Sequence, residues 1–327
     1  MTTPLLLCRS QIDAQRWDQL IQQSQQRVVY GYSWYLDVVS PGWSALVWPS
    51  AEEYQVVMPL PIRKKWGLPV IQQPFFCQYL GLFSAIPLTK DIADAFLRVL
   101  DRHFRYISSY TFHPDNTPLL ADLLPTYPSI QYQRLHTHWL PLNQPYAGIE
   151  GRYSQDRKKN LKRASKAGWT IREQEDIVPL IDMFRTYHAQ GIQGGVSEKA
   201  YELLKALYRE LRKRGLVQVL YAGLGSEPHA GVMLVEEGKR VIYLFNAADQ
   251  TGRKQNARTY LLDQYLRSHS NLDSVFDFES PEVPSIVDYY RSFGAEKKAF
   301  YSIRKNSLPF PLREIQEWRI RQATLSS

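Results

Sequence analysis

The chain has 327 residues, 44% hydrophobic and 13% aromatic, with 40 Lys and Arg against 32 Asp and Glu for a net charge of +8. That composition excludes a disordered or fibrous chain, and without an apolar run of about 18 residues it excludes a helical membrane span. A prior of about 150 residues per domain predicts two domains, and the positive balance favours anionic partners such as nucleotide phosphates, nucleic acid or a membrane surface.

The first residues, through Arg9, have no basic stretch and only a short apolar run, so a cytoplasmic protein is expected. Strands are predicted at 5–8, 43–48, 54–61, 68–73, 105–111 and 130–135, with helices at 13–23, 34–39, 91–104 and 119–124. In the second half a strand at 138–142 leads into the basic segment 152–168, read as a helix that Ser154 caps and Gly168 ends. A small strand at 169–172 follows. A helix carries Ile177, Leu180, Ile181, Phe184 and Tyr187, and the next, capped by Ser197, carries Tyr201, Leu204, Leu207, Tyr208 and Leu211. Strands at 216–222, 230–235 and 240–247 come next. The chain then alternates helix 254–268, strand 275–278, helix 285–292 and strand 299–304.

This order describes an α/β chain with mixed sheets and helices packed on them. The first half repeats the element order of the second, so a duplicated unit is expected, divided into 1–135 and 136–327.

Several chemistries lack their residues. Cys8 and Cys77 have no partner spacing for a disulfide framework or a zinc site. His136 and His138 share a strand face without a third ligand, and His103, His188 and His269 fall near helix ends where positive charge suits the dipole. No metal site is expected. The sequence has no Walker or strand-linked dinucleotide glycine motif and no Gly-x-Ser-x-Gly elbow.

The segment that points to chemistry is the strand 240–249 followed by Gln250-Thr-Gly-Arg-Lys-Gln-Asn-Ala-Arg258. A strand that runs through a glycine-containing loop into a helix presents backbone N–H groups to an anion, here beside Arg253, Lys254 and Arg258. The alternative is an ordinary polar connection. The basic helix is read as a solvated face, as a seat for an anionic acceptor or transfer RNA at Lys158, Lys159 and Arg163, or as a lipid-surface contact. In the first half, Trp34 with its tyrosine neighbours, and Gln78 within Gln72-Gln-Pro-Phe-Phe-Cys-Gln-Tyr79, have a composition suited to core packing or to recognition of an organic acceptor.

The three meandering strands, the loop 250–257 before a helix, the strand ending Phe276-Asp-Phe-Glu-Ser280, and Tyr289-Tyr-Arg-Ser-Phe-Gly294 resemble the GNAT acyltransferase superfamily. The nearest branch includes the Fem-type peptidyltransferases, whose members often pair two GNAT-like units in one chain. The resemblance implies two tandem GNAT-like units, the second catalytic, the first a degenerate copy on the acceptor side. It implies acyl transfer from acyl-CoA to an amine, with Asn246, Ala247, Gly252, Arg253, Lys254, Asn256, Ala257 and Arg258 at the cofactor. Glu279 is the candidate base and Tyr290 the candidate acid. A backbone N–H near 245–247 would hold the carbonyl oxygen. The chain departs from the family pattern in two places. The cofactor loop Gln/Arg-x-x-Gly-x-Gly/Ala has its glycine displaced, and Tyr290 fills the Lys position of Phe-Lys-x-x-Phe-Gly, so that role in recognising acceptor or donor is either lost or shifted to Arg291. The alternatives are Fem-type aminoacyl transfer from charged transfer RNA and a non-catalytic binding protein on the same fold.

Overall fold

The structure, a computed structural model, describes residues 2–65, 67–192 and 194–325. The chain divides into two units, Met1–Leu135 with Ala299–Ser327, and His136–Lys298. The division differs from the sequence expectation at the C-terminal end, where 299–327 joins the first unit because its strand finds a partner there.

Unit one begins with β1 (Leu5–Cys8), α1 (Ala14–Gln23), α2 (Ser33–Val39), β2 (Ser44–Pro49), β3 (Tyr54–Leu60), β4 (Ile62–Lys65), β5 (Leu68–Gln72) and β6 (Phe83–Ser84). It continues with α3 (Lys90–His103), β7 (Tyr106–Thr111) and α4 (Thr117–Leu123). The strand β8 (Gln131–Pro141) crosses the division in sequence. Two separate strands were expected there, but the run from Gln131 to Leu140 contains no breaker and stays extended.

Unit two continues with α5 (Tyr146–Gly151), α6 (Gln155–Ala164), β9 (Thr170–Glu173), α7 (Val178–Tyr187), α8 (Glu198–Lys213), β10 (Val217–Leu224), β11 (Glu227–Glu237) and β12 (Arg240–Ala248). Then come α9 (Gln250–Lys254), α10 (Ala257–Ser268), β13 (Val275–Asp277) and α11 (Pro284–Arg291). The chain ends through β14 (Glu296–Asn306) and α12 (Leu312–Leu325). The single helix expected at 254–268 is two helices, because Asn256 takes a left-handed φ of 57° between them.

In unit one, β1, β2, β3 and β6 form an antiparallel sheet, and β7 pairs in parallel with β5 and antiparallel with residues 302–306 of β14. Lys305 on that last strand is buried and reaches the Asp101 carboxylate at 2.5 Å. In unit two the strand order is β8, β13, β12, β11, β10, β9, with β12 and β13 parallel and the other pairs antiparallel. Each unit thus holds one parallel pair whose connection passes through a helix, α3 in one and α9–α10 in the other. This is the repeated order seen in the sequence.

The core of unit two forms where α6, α10 and α11 cover the sheet, with Leu140, Val232, Tyr243, Leu261, Phe276 and Phe278 all buried. Side chains of this size each stabilise the fold by about 1.5–3 kcal/mol when removed from water. The N-terminus of α6 is fixed twice. Ser154 Oγ accepts the Arg157 N–H at 3.1 Å, and the Ser154 N–H donates to the Ser292 carbonyl at the end of α11 at 2.9 Å.

Candidate functional site

The parallel strands β12 and β13 stay paired over three positions only, Arg240 with Val275, Val241 with Phe276 and Ile242 with Asp277. Beyond them β13 ends while β12 runs on to Ala248. The β11–β12 ladder also slips, from Leu234 opposite Tyr243 to Met233 opposite Phe245, so Leu244 is bulged. A wedge opens between the strands, and alternate backbone groups along the free edge of β12 face it. The sequence placed the carbonyl-holding N–H at 245–247. The irregular position is Leu244, and the last amide, of Ala248, is already taken by His188 Nε2 at 3.0 Å. His188 stacks on Phe184, and burial holds its pKa below the ordinary histidine value, with the charges of Arg258 and Arg253 adding and the Ala248 carbonyl opposing. It serves as a neutral acceptor. The helix-end cation expected from sequence is corrected accordingly.

At the mouth of the wedge, the fully buried Asp277 carboxylate accepts from Thr137 Oγ1 at 3.0 Å and the Glu279 N–H at 3.0 Å, and lies 3.3 Å from Arg240 Nη1. Arg240 lies over the Trp139 ring at 4.0 Å. Glu279 is half-buried with a φ of 49°, a left-handed conformation for a residue with a side chain. Tyr290 on α11 is buried, stacked on Phe278 at 4.8 Å and edge-on to Tyr243 at 6.0 Å. Burial drives the Tyr290 pKa well up, Arg258 opposes, and the charges of Tyr289 and Glu279 add to the rise. The phenol of Tyr290 is therefore held protonated, chiefly by burial, with the Glu279 charge a smaller contribution in the same direction.

In the turn after β12, where the sequence suggested an anion cradle, a carboxylate is in place. Asp249 caps α9, its Oδ1 accepting the Gly252 N–H at 2.7 Å and its Oδ2 lying 2.8 Å from His229 Nδ1. Gly252 is needed because a Cβ there would stand 2.0 Å from the His229 carbonyl oxygen. Its amide is spent on the cap. Arg253 and Lys254 are exposed, Arg253 lying 5.9 Å from the Tyr187 ring centroid.

The start of α10 is different. Asn256 makes no side-chain cap, and the amides of Ala257, Arg258 and Thr259 find no acceptor among the described residues. Ala257 is buried. The Arg258 side chain turns back along the sheet, donating to Asn246 Oδ1 at 2.6 Å and lying 4.8 Å from the Tyr289 ring centroid.

Within the basic helix, Lys158 is half-buried near the Gly151 carbonyl at 3.4 Å, Lys159 pairs loosely with Asp156 at 3.6 Å, and Arg163 is exposed. The residue that sequence reasoning missed is Arg157. It is buried, donates to Ser292 Oγ at 2.9 Å and Thr259 Oγ1 at 2.5 Å, and packs on Tyr289 and Phe293 at 4.2 and 4.4 Å. Its spacing of four from Leu161 and seven from Ala164 was the available signal. Neither Arg157 nor Arg258 has a carboxylate within ion-pair distance among the described residues. Arg291 is exposed on α11, with Asp288 at 3.9 Å.

Trp34 and Gln78 belong to unit one. Trp34 is half-buried and stacked on Tyr32 at 5.6 Å. The backbone carbonyl of Gln78 accepts from the Thr111 hydroxyl. Nearby, Gln73 Oε1 accepts the Thr111 N–H at 3.1 Å and its Nε2 donates to the Cys77 carbonyl at 2.8 Å. Thus the amides beside the parallel pair of unit one stitch that loop to β7. Among the described residues no His, Cys, Asp or Glu group could hold a metal ion, and no helix is long and apolar enough to cross a membrane.

Residues 151–278 match the family model described as an acetyltransferase (GNAT) domain. Among solved structures, FemX shares the fold at 13% identity with a TM-score of 0.64, the match covering 93% of this chain and 98% of that one. A conserved protein of unknown function from Bacteroides thetaiotaomicron matches at 8% identity and TM-score 0.54, covering 90% of this chain and 93% of its own. The C-terminal domain of a putative lysylphosphatidylglycerol synthetase from Agrobacterium fabrum matches at 11% identity and TM-score 0.52, covering 90% and 92%. At these identities the likeness is one of fold. No curated protein sequence matches the chain. Residues 151–278, which lie within unit two, thus match a GNAT acetyltransferase domain, and the chain over most of its length shares the fold of FemX.

Proposed function

We propose that the protein is an N-acyltransferase that moves an acyl group from acyl-CoA to an amine, with unit two catalytic. The observation that supports this reading is that β12 runs on past its three-residue pairing with β13, with Glu279 in the turn just after β13 and the protonated Tyr290 packed on Phe278 of the same segment. The donor set suits a pyrophosphate at the first turn of α10, where three amides stand free, and does not suit one at α9, where a carboxylate fills the turn. Acyl-CoA, when bound, supplies a thioester carbonyl. In this reading Glu279 takes the proton from the attacking amine, the edge of β12 offers an N–H to the carbonyl oxygen, and Tyr290 protonates the departing sulfur. One amide bond forms as the carbon–sulfur bond breaks. Thermal denaturation with and without acyl-CoA tests it, since a ligand at 100 times its Kd stabilises by about 2.7 kcal/mol. No shift at millimolar acyl-CoA rejects this donor.

A second reading, aminoacyl transfer from charged transfer RNA, is favoured by one observation. The Asp249 carboxylate sits at the turn where a pyrophosphate was expected, while α6 exposes Lys159, Lys162 and Arg163, with the exposed Lys166 just beyond its end. Such a surface suits a nucleic acid backbone. It predicts RNA binding that weakens steeply with salt and passage of labelled amino acid to an acceptor. A lack of binding at low ionic strength removes it. The acceptor in either reading is a small or nucleotide-linked amine, with unit one on its side. Both donors are cytosolic, so the cytoplasm is the proposed location.

A further inference from the structure

Unit two contains a second polar feature apart from the Glu279–Tyr290 corner. His138 on β8 is fully buried, and neither of its ring nitrogens has a hydrogen-bond partner among the described residues. An imidazole so placed forgoes the bonds it would make in water. It lines a cavity of about 390 Å³ together with Val287, Arg291, Ala295 and Lys297.

The charges around this cavity are unbalanced. Arg291 has only the exposed Asp288 at 3.9 Å, and Lys297 has no carboxylate within ion-pair distance among the described residues. Glu282, the acid whose charge reaches His138, is engaged elsewhere. Its Oε1 accepts the His136 N–H at 2.5 Å and lies 3.5 Å from His136 Nδ1. Burial holds the His138 pKa below the ordinary value, the charges of Arg291, Lys297 and His136 lower it further, and Glu282 opposes them. A neutral imidazole with one N–H to give, beneath two cations, suits an oxyanion.

We propose that this cavity binds a small molecule through an anionic group, a carboxylate or a phosphate, held by Arg291 and Lys297 at the rim and by the ring of His138 at the floor. Val287 and Ala295 supply apolar wall for its carbon skeleton, and the volume lies within the usual range of small-molecule sites. The site stands whether or not unit two uses acyl-CoA. It adds an anion-bearing ligand that none of the family's loop residues accounts for.

The test follows the His138 imidazole resonances by NMR in the intact chain at constant ionic strength. Inorganic phosphate and N-acetylglycine are titrated separately, with no acyl donor present. The expected result is a saturable shift with at least one anion, weakened about tenfold or more in the exposed double variant Arg291→Gln with Lys297→Gln. Saturation by phosphate alone identifies a phosphate ligand, by N-acetylglycine alone a carboxylate, and by both a general oxyanion seat. A non-saturating response to both anions overturns the proposal, as does a saturable shift that the double variant leaves unchanged. Because no transfer is measured, neither result bears on the acyl donor.

Discussion

The Asp277 carboxylate accepts the N–H of Glu279 two residues later at 3.0 Å, and Glu279 stands at a φ of 49° in that same turn. One buried acid thus fixes the backbone of the candidate base in a conformation that costs a non-glycine residue about 1 kcal/mol or more. Glu279→Gly is expected to raise stability by about 1 kcal/mol in urea unfolding while lowering acyl transfer as far as Glu279→Gln does. Full activity in either variant removes Glu279 from the chemistry.

Asp277 itself is a structural hub between β8, β12 and β13. Asp277→Ala deprives the Arg240 guanidinium of its buried carboxylate and frees Thr137 and the Glu279 turn. A loss of about 3–5 kcal/mol is expected by chemical denaturation. Asp277→Asn, which keeps an acceptor, should lose less.

Tyr290→Phe removes a hydroxyl that has no hydrogen-bond partner among the described residues and leaves the ring on Phe278. The melting temperature should stay within a degree or two of the parent, because surface and packing terms hardly change. The turnover number should fall by about a hundredfold if the phenol is the acid. Since burial raises its pKa, no activity loss below pH 10 should trace to its ionisation.

At Gly252 an added methyl meets the His229 carbonyl at 2.0 Å, whereas at Gly151 it meets nothing within 4 Å. Gly252→Ala should cost about 1–3 kcal/mol and Gly151→Ala should be neutral or mildly stabilising. Equal melting temperatures for the two variants would show that the His229–Asp249 latch yields easily.

Stability should also fall on acidification through the histidines. His138 and His188 both have folded pKa values held below the ordinary 6.5, burial being the first cause in each. The unfolded chain therefore binds their protons first, so stability is intact above about pH 6.5 and declines as the pH drops toward the folded values. The limiting slope is about 1.4 kcal/mol per pH unit for His138, less for the more exposed His188. Urea unfolding at several pH values between about 5 and 8 measures it, and a flat profile contradicts the burial of both rings.

Most of the elements were legible because their apolar spacing is regular, as in the stripe of α8 from Tyr201 to Leu211. The capping of α6 by Ser154 and of α1 by Asp13 also followed from residue type. What escaped depended on contacts across the sheet. Arg157 looks like one charge in a basic run until Ser292, Thr259 and Tyr289 surround it. Asp249 looks like part of an open loop until His229 on β11 locks it. His138 read as a strand residue without ligands, and only its placement against α11 shows the cavity above it. The C-terminal strand was misassigned because its register with β7 is a pairing distant in sequence.

That distant pairing sets an order of events during synthesis. Residues 136–298 are complete while the last strand is still inside the ribosome, so the inserted unit can close on itself first. The part of unit one that precedes residue 136 must wait, with the β7 edge that Ser302 to Asn306 will cover still unsealed, for β14 to emerge.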